Sequence, residues 1–224
     1  MTATFFAGPL SGKQYDLAVI GAGSAGFSAA ITAAGAGAQV ALIGHGTIGG
    51  TCVNVGCVPS KALIRAMEAV SHGKRADRFA GVEGHGSLID WKALRRQKDE
   101  LVDTLRQSKY IDLLPAYNGV AYLEGSARLE NGSVSINGEP IEANKTIITT
   151  GSSAAVPPIP GLDKIAFLTS TTAFELDSLP RSLLIVGAGY IGCELSQIFA
   201  RAGVEVTLLL RSRLLPEAEP EISE

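Results

Sequence analysis

One pattern of three glycines occurs twice in this chain, each time in the same setting. Gly21-Ala22-Gly23-Ser24-Ala25-Gly26 follows the short apolar run 15–20 and precedes the Ala-rich, proline-free stretch 24–35. Gly187-Ala188-Gly189-Tyr190-Ile191-Gly192 follows the apolar run 182–186 and precedes a helical stretch, 190–202. From Gly21 to Gly187 is 166 residues. Between a strand and a helix the GxGxxG pattern is informative because each glycine has a separate task. The first permits the tight turn, the second lets backbone approach a pyrophosphate, and the third lets helix and strand pack closely; the helix N-terminus supplies amide donors. A glycine-rich turn in an ordinary α/β sheet is the plainer explanation, and the repetition weakens it. The expectation is two dinucleotides, one held by Gly21, Gly23, Ser24, Ala25 and Gly26, the other by Gly187, Gly189, Tyr190 and Ile191. A further strand closes each unit, at 39–43 and 204–209. That βαβ order requires parallel strands and a crossover helix, which predicts a doubly wound, Rossmann-like α/β fold.

The composition agrees with an ordered α/β protein. Of 224 residues, 46% are hydrophobic, 18% are charged and 26 are glycine, which excludes a disordered tail or a coiled coil. Nineteen basic against 22 acidic side chains leave a net charge of -3, so no nucleic acid partner is expected. Leu17 to Ser60 contains no Asp, Glu, Lys or Arg and could be read as a membrane span. Its apolar residues form separate short runs around glycine turns, so no membrane partner is expected either. Three cysteines and the lack of a leader-like start point to a reducing, cytoplasmic compartment.

Along the chain, a helix is predicted over 51–70 with an irregularity at Pro59, and an amphipathic helix over 91–114. From Gly119 to Thr149 the texture becomes short β runs (120–123, 133–137, 145–149) punctuated by Asn131-Gly132 and Asn137-Gly138, both hairpin signals. This predicts a small antiparallel excursion. Pro157, Pro158 and Pro160 mark a linker. The domains expected are an N-terminal tail over 1–13, a first nucleotide domain over 14–160 carrying the excursion, and an incomplete second one over 161–224.

The residues after each second strand bear on which nucleotide binds. An acidic side chain there takes ribose hydroxyls, and arginine suits a 2′-phosphate. Arg211 and Arg213 after strand 204–209 favour NADPH over NADH, although two arginines after a strand also read as a solvated turn. At the first site Gly44-His45 offers no carboxylate. Cys52 and Cys57 form a close pair that in a reducing compartment is redox-active or metal-binding. A zinc site would need further ligands, and Cys193, His45, His72 and His85 are not at zinc spacing. A reactive dithiol needs a thiolate, which a helix N-terminus and a neighbouring lysine favour. Lys61 lies four residues beyond Cys57, and it also reads as a surface lysine. Cys193 reads as a small core residue.

The segment from Gly49 to Lys61, with Cys52-Val53-Asn54-Val55-Gly56-Cys57 at its centre, lies between the two glycine motifs. That combination resembles the class I pyridine nucleotide-disulfide oxidoreductase family. Val53, Val58 and Ser60, with Ser108-Lys109-Tyr110 and the run from Ala155 to Leu162, look most like its mercuric reductase branch. The resemblance implies FAD on the first glycine motif, with Gly50, Thr51, Lys61, Thr150 and Gly151 contributing, and NADPH on the second. It implies hydride transfer from nicotinamide to flavin and then two electrons to the Cys52/Cys57 disulfide. Cys57 would face the flavin and Cys52 would meet the substrate, either Hg(II) taken by the soft thiolates or a small-molecule disulfide. Lys61 would lie at the flavin N5 edge paired with Glu194, and Tyr190 would gate the nicotinamide; its alternative role is helix packing.

The chain departs from the family pattern in three ways. Gly44 stands where a glutamate usually holds the adenosine ribose, Thr149 replaces the commoner alanine before Thr150-Gly151, and family members run to about twice this length. The remaining length carries the rest of the NADPH domain, a returning FAD segment, the His-Glu pair donated across a homodimer and, in mercuric reductases, a C-terminal cysteine pair. The expectation is therefore the N-terminal portion of an enzyme. Two alternatives are a dihydrolipoamide dehydrogenase or glutathione reductase type of enzyme, and a non-catalytic module that binds nucleotide or sequesters metal.

Overall fold

The computed structural model describes residues 14–223, so the tail expected over 1–13 lies outside the described residues. The chain divides into two compact units. One comprises the described residues through Asn54 together with Val102–Ser153; the other comprises Val55–Leu101 and the chain from Ala154 onward.

The first unit is built on a mixed sheet. Strand β1 (Gln14–Ile20) leads through the glycine turn into helix α1 (Ser24–Gly35), which returns the chain to β2 (Val40–Gly44). β1 and β2 pair in parallel with Ile20 opposite Ile43. Strand β3 (Val120–Glu124) pairs in parallel with β2, and the long β6 (Glu139–Ile148) pairs in parallel with β1. Strands β4 (Ala127–Glu130) and β5 (Ser133–Ile136) extend this sheet antiparallel from β6. Among the described residues the order is β3-β2-β1-β6-β5-β4. Parallel strands buried on both faces need apolar residues of either parity, and β2 supplies them. Val40 and Leu42 pack with Phe27 and Ala30 of α1, whereas Ala41 and Ile43 pack with Val134, Ile136 and Ile141 of the antiparallel arm.

The antiparallel excursion has the two turns expected, with Asn131 and Asn137 at φ 51° and Gly132 and Gly138 at 81° and 91°. Two consecutive residues in the left-handed region are what a tight hairpin needs to match strand twist. The excursion holds more strand than expected: 127–130 pairs too, its four-residue Ala-Arg-Leu-Glu text alternating apolar and charged residues, and β6 starts at Glu139 rather than near Lys145.

The helix expected over 51–70 is two helices, α2 (Gly50–Asn54) and α3 (Cys57–Lys74). The break falls at Val55-Gly56, not at Pro59. Pro59 is the third residue of α3, where an amide has no intrahelical acceptor, so its missing N–H costs nothing. The helix expected over 91–114 is α4 (Trp91–Arg106), continued by a π turn over Gln107–Ile111.

In the second unit α3 and the first part of α4 share a core with the short α5 (Ser170–Ala173) and with α6 (Tyr190–Arg201). Leu63, Met67, Trp91, Phe174, Leu195, Ile198 and Phe199 form its buried centre. Trp91 donates its indole N–H to the Leu176 carbonyl at 2.8 Å. Lys98, one of the charges of the amphipathic α4, is 3% exposed and satisfied by Glu175 and Asp99 carboxylates at 2.9 and 2.5 Å. Strands β7 (Ser182–Val186) and β8 (Glu205–Leu209) flank α6 and pair in parallel, repeating the opening β1-α1-β2 arrangement.

Candidate functional site

The two glycine turns have the same local geometry. The first glycine is in the left-handed region in both, Gly21 at φ 116° and Gly187 at φ 107°. The third glycine of each lies against the carbonyl of the first. A Cβ on Gly26 would come within 1.8 Å of the Gly21 oxygen, and one on Gly192 within 2.0 Å of the Gly187 oxygen. Gly26 and Gly192 thus allow each helix to pack closely on its glycine turn. The second glycines, Gly23 and Gly189, are the N-caps of α1 and α6, with ψ of -175° in both. Neither helix has a side-chain cap or an acidic residue in its first turn. Their leading amides and positive ends are thus left for an external anion.

In the first unit these elements open onto a cavity of about 510 Å³. Gly21, Ala22, Gly23, Ser24 and Ala25 line one side; His45 to Ile48, Gly50, Thr51 and Cys52 line another; Tyr122, Thr150 and Gly151 contribute from β3 and the end of β6. The loop after β2 is tied to the glycine turn by the Gly49 amide, which donates to the Ala22 carbonyl at 2.9 Å. Thr149 has a purpose that an alanine there would not serve: its hydroxyl reaches the carbonyls of Ile20 and Gly21 at 3.0 and 2.9 Å, pinning the turn to β6.

Three contacts at this cavity were not foreseen from the sequence. The Tyr110 hydroxyl bonds to Ser24 Oγ at 3.0 Å, and its ring packs edge-on against Phe27 with centroids 4.9 Å apart. Asn54 closes α2, donating through Nδ2 to the carbonyls of Ile48 and Gly50, both at 2.9 Å. Arg106 Nη1 in turn donates to Asn54 Oδ1 at 3.0 Å, and the Asp103 carboxylate holds the same guanidinium. The helix that carries Cys52 is thereby clamped from α4. Only the presence of Asn54 and Tyr110 in unusual motif text hinted at this.

In the second unit Cys57 is the exposed first residue of α3, beyond N-cap Gly56. No side chain caps this 18-residue helix and no acid lies in its first turn. One turn on, the Lys61 ammonium pairs with the Glu194 carboxylate of α6, joining two residues far apart in sequence. Lys61 is 57% exposed, so the pair contributes little to stability and its interest is chemical. Tyr190 and Ile191 project from the start of α6, 62% and 60% exposed. Arg213 Nη2 donates to the carbonyls of Pro216 and Ala218 at 3.0 and 2.8 Å. Arg211 is exposed at the end of β8. Cys193 is half-buried, its thiol 3.6 Å from the Ala188 carbonyl. Among the described residues no group of three or more metal-ligating side chains converges, and no helix is long and apolar enough to cross a membrane.

Each unit thus carries a glycine-headed helix without a side-chain cap, of the kind that receives a dinucleotide phosphate, and the cavity at the first is bordered by a thiol. The chain belongs to the pyridine nucleotide-disulphide oxidoreductase family, which it matches over residues 15–224. Membership implies FAD and a pyridine nucleotide as cofactors. Curated relatives include a mercuric reductase of Lysinibacillus sphaericus, 48% identical over 213 residues that make up 94% of this chain and 39% of the relative. Another, from Streptomyces lividans, is 48% identical over 93% of this chain and 45% of its own length. Among solved structures, the HOCl-induced flavoprotein disulfide reductase RclA of Escherichia coli superposes with a TM-score of 0.78 at 33% identity, covering 93% of this chain and 45% of that one. The chain thus spans less than half the length of these relatives.

Proposed function

We propose that the protein is an FAD-dependent oxidoreductase that uses NADPH to reduce Hg(II) to Hg(0) through Cys52 and Cys57. In this reading residues 14–160 form the FAD domain, 161–224 open the NADPH domain, and the working form is a cytoplasmic homodimer. The observation that carries it is Cys52 in the wall of the cavity that the Gly21–Ala25 turn and the head of α1 also line.

The cavity fits the dinucleotide. A Cβ on Gly23 would lie 3.5 Å from the Gly50 Cα, so the backbone there is bare and close to a second bare segment. Gly23, Ser24 and Ala25 present amides to the pyrophosphate, with Ser24 held by Tyr110, while Gly21, whose amide donates to the Ile43 carbonyl at 2.8 Å, shapes the turn. Gly50, Thr51, Thr150 and Gly151 line the remaining walls. When bound, FAD supplies a two-electron carrier between nicotinamide and dithiol.

The protein's own residues then have separate tasks. Glu194 pairs with the Lys61 ammonium and orients it. Gly187, Gly189, Tyr190 and Ile191 receive the pyridine nucleotide at the head of α6. Arg211, exposed beyond β8, is the better placed of the two arginines for a 2′-phosphate, because Arg213 is engaged with backbone carbonyls. Cys57, at the head of α3, and Cys52, in the cavity wall, provide the soft thiolates that Hg(II) prefers. The balance closes: hydride from NADPH carries two electrons, and Hg(II) takes two to become Hg(0).

The test is Hg(II)-dependent oxidation of NADPH by the purified protein, with elemental mercury trapped from the vapour. Cys52→Ser and Cys57→Ser are each expected to lower the rate by at least about a hundredfold. Either variant keeping the wild-type rate overturns the mechanism. Turnover of lipoamide or glutathione disulfide without mercury reduction moves the protein to another branch of the family.

A further inference from the structure

Gly44, the last residue of β2, ends the strand whose closing position in dinucleotide-binding units ordinarily carries an acidic side chain for the ribose hydroxyls. The structure shows why no such side chain stands here. A Cβ on Gly44 would lie 2.6 Å from the Tyr122 hydroxyl, 2.9 Å from Tyr122 Cε2 and 2.9 Å from the Ala22 Cβ. Tyr122 fills the place. It enters from the neighbouring strand β3, its ring buried with Phe27, Leu42 and Ile48 and only 8% exposed. It also lines the cavity, beside His45 and Gly46. A glutamate's carboxyl carbon lies about 2.5 Å from its own Cβ by ordinary covalent geometry. The phenol oxygen is at that same distance from the Gly44 Cβ position, delivered from a different strand.

We infer that the Tyr122 hydroxyl takes over the task of the absent carboxylate and holds the adenosine ribose of the dinucleotide bound in the first unit. This rests on the FAD reading above and adds to it the residue that anchors the adenosine half. Burial, and secondarily the Glu124 carboxylate, raise the Tyr122 hydroxyl above its ordinary value, so it remains protonated, and a phenol oxygen with two acceptor lone pairs can bond a ribose hydroxyl. On these distances a side chain at position 44 requires the buried Tyr122 ring and the Ala22 methyl to move.

The test is equilibrium binding of FAD, read by flavin fluorescence, to apoprotein of the wild type and three variants. Tyr122→Phe keeps the buried ring and is expected to weaken FAD binding roughly 3- to 15-fold, the range of one net hydrogen bond. Displacement of FAD by ADP should lose the same factor, since the contact is in the adenosine half. Tyr122→Val combined with Gly44→Glu removes the phenol, leaving the Ala22 Cβ at 2.9 Å as the one close neighbour that must shift, and is expected to regain affinity relative to Tyr122→Val alone. Unchanged FAD affinity in Tyr122→Phe overturns the inference, and so does weaker FAD binding with ADP unaffected. A wild type that binds no FAD overturns the FAD reading and this inference together, whereas an unaffected Tyr122→Phe overturns this inference alone.

Discussion

Replacing Asn54 by alanine removes three hydrogen bonds from the five-residue helix that bears Cys52: two donated to the carbonyls of Ile48 and Gly50 at 2.9 Å and one accepted from Arg106 at 3.0 Å. A neutral bond of this kind contributes about 0.5–1.5 kcal/mol net and one to a charged group about 1.5–3 kcal/mol. The carbonyls are half-buried and regain some water, so the loss should come to about 2–4 kcal/mol rather than the full sum. Arg106→Ala loses the charged bond and the pair with Asp103, whose side chain is 67% exposed and adds under about 1 kcal/mol. If Arg106 acts through Asn54, the double variant should cost about 1.5 kcal/mol less than the two single changes added together. The assay is urea unfolding, together with the alkylation rate of Cys52 in a Cys57→Ser, Cys193→Ala background. That rate should rise in each variant, because α2 opens without its clamp. Additive free energies with an unchanged alkylation rate would refute the clamp.

Gly26→Ala should destabilise the first unit by several kcal/mol, since its Cβ would meet the Gly21 oxygen at 1.8 Å; thermal unfolding detects it, and a wild-type transition would contradict the packing role. Glu194→Gln should change stability by less than about 1 kcal/mol, because Lys61 is 57% exposed, while lowering Hg(II)-dependent NADPH oxidation. Loss of stability without loss of turnover would make that pair merely structural. Burial raises the hydroxyls of Tyr15 and Tyr122 in the folded state. Their contribution to stability is complete below about pH 10, the ordinary value, and is lost as pH climbs toward the raised folded value. Alkaline unfolding monitored by tyrosinate absorbance should therefore begin above about pH 10 and shift in Tyr15→Phe; an unshifted onset would contradict the burial.

The sequence made both βαβ units legible because the first and third glycines of each motif answer a geometric requirement that no other residue meets. Gly21 and Gly187 need positive φ, and Gly26 and Gly192 have no room for a Cβ. The Asn-Gly hairpins were readable for the same reason. Features depending on a distant partner were not readable. The burial of Lys98 follows from Glu175, 77 residues on. Gly44 was visible as a missing carboxylate, but its occupant Tyr122 lies on a strand whose pairing with β2 no local pattern reveals. Arg106 looked like one more charge on an amphipathic helix, and its bond to Asn54 depends on where that helix lies within the first unit. The misplaced helix break has a local cause: proline's disruptive effect vanishes in the first turn, whereas Gly56 can take the φ -120°, ψ -111° that ends one helix and caps the next.

The most direct test of the central claim, a dithiol coupled to a bound flavin, is anaerobic dithionite titration of the oxidised protein with flavin absorbance and free thiols both recorded. A flavin accepts two electrons and a disulfide two more. The account predicts four electrons per chain, with two new thiols, and only two electrons in Cys52→Ser or Cys57→Ser. Two electrons in the wild type, with no thiols gained, would contradict it.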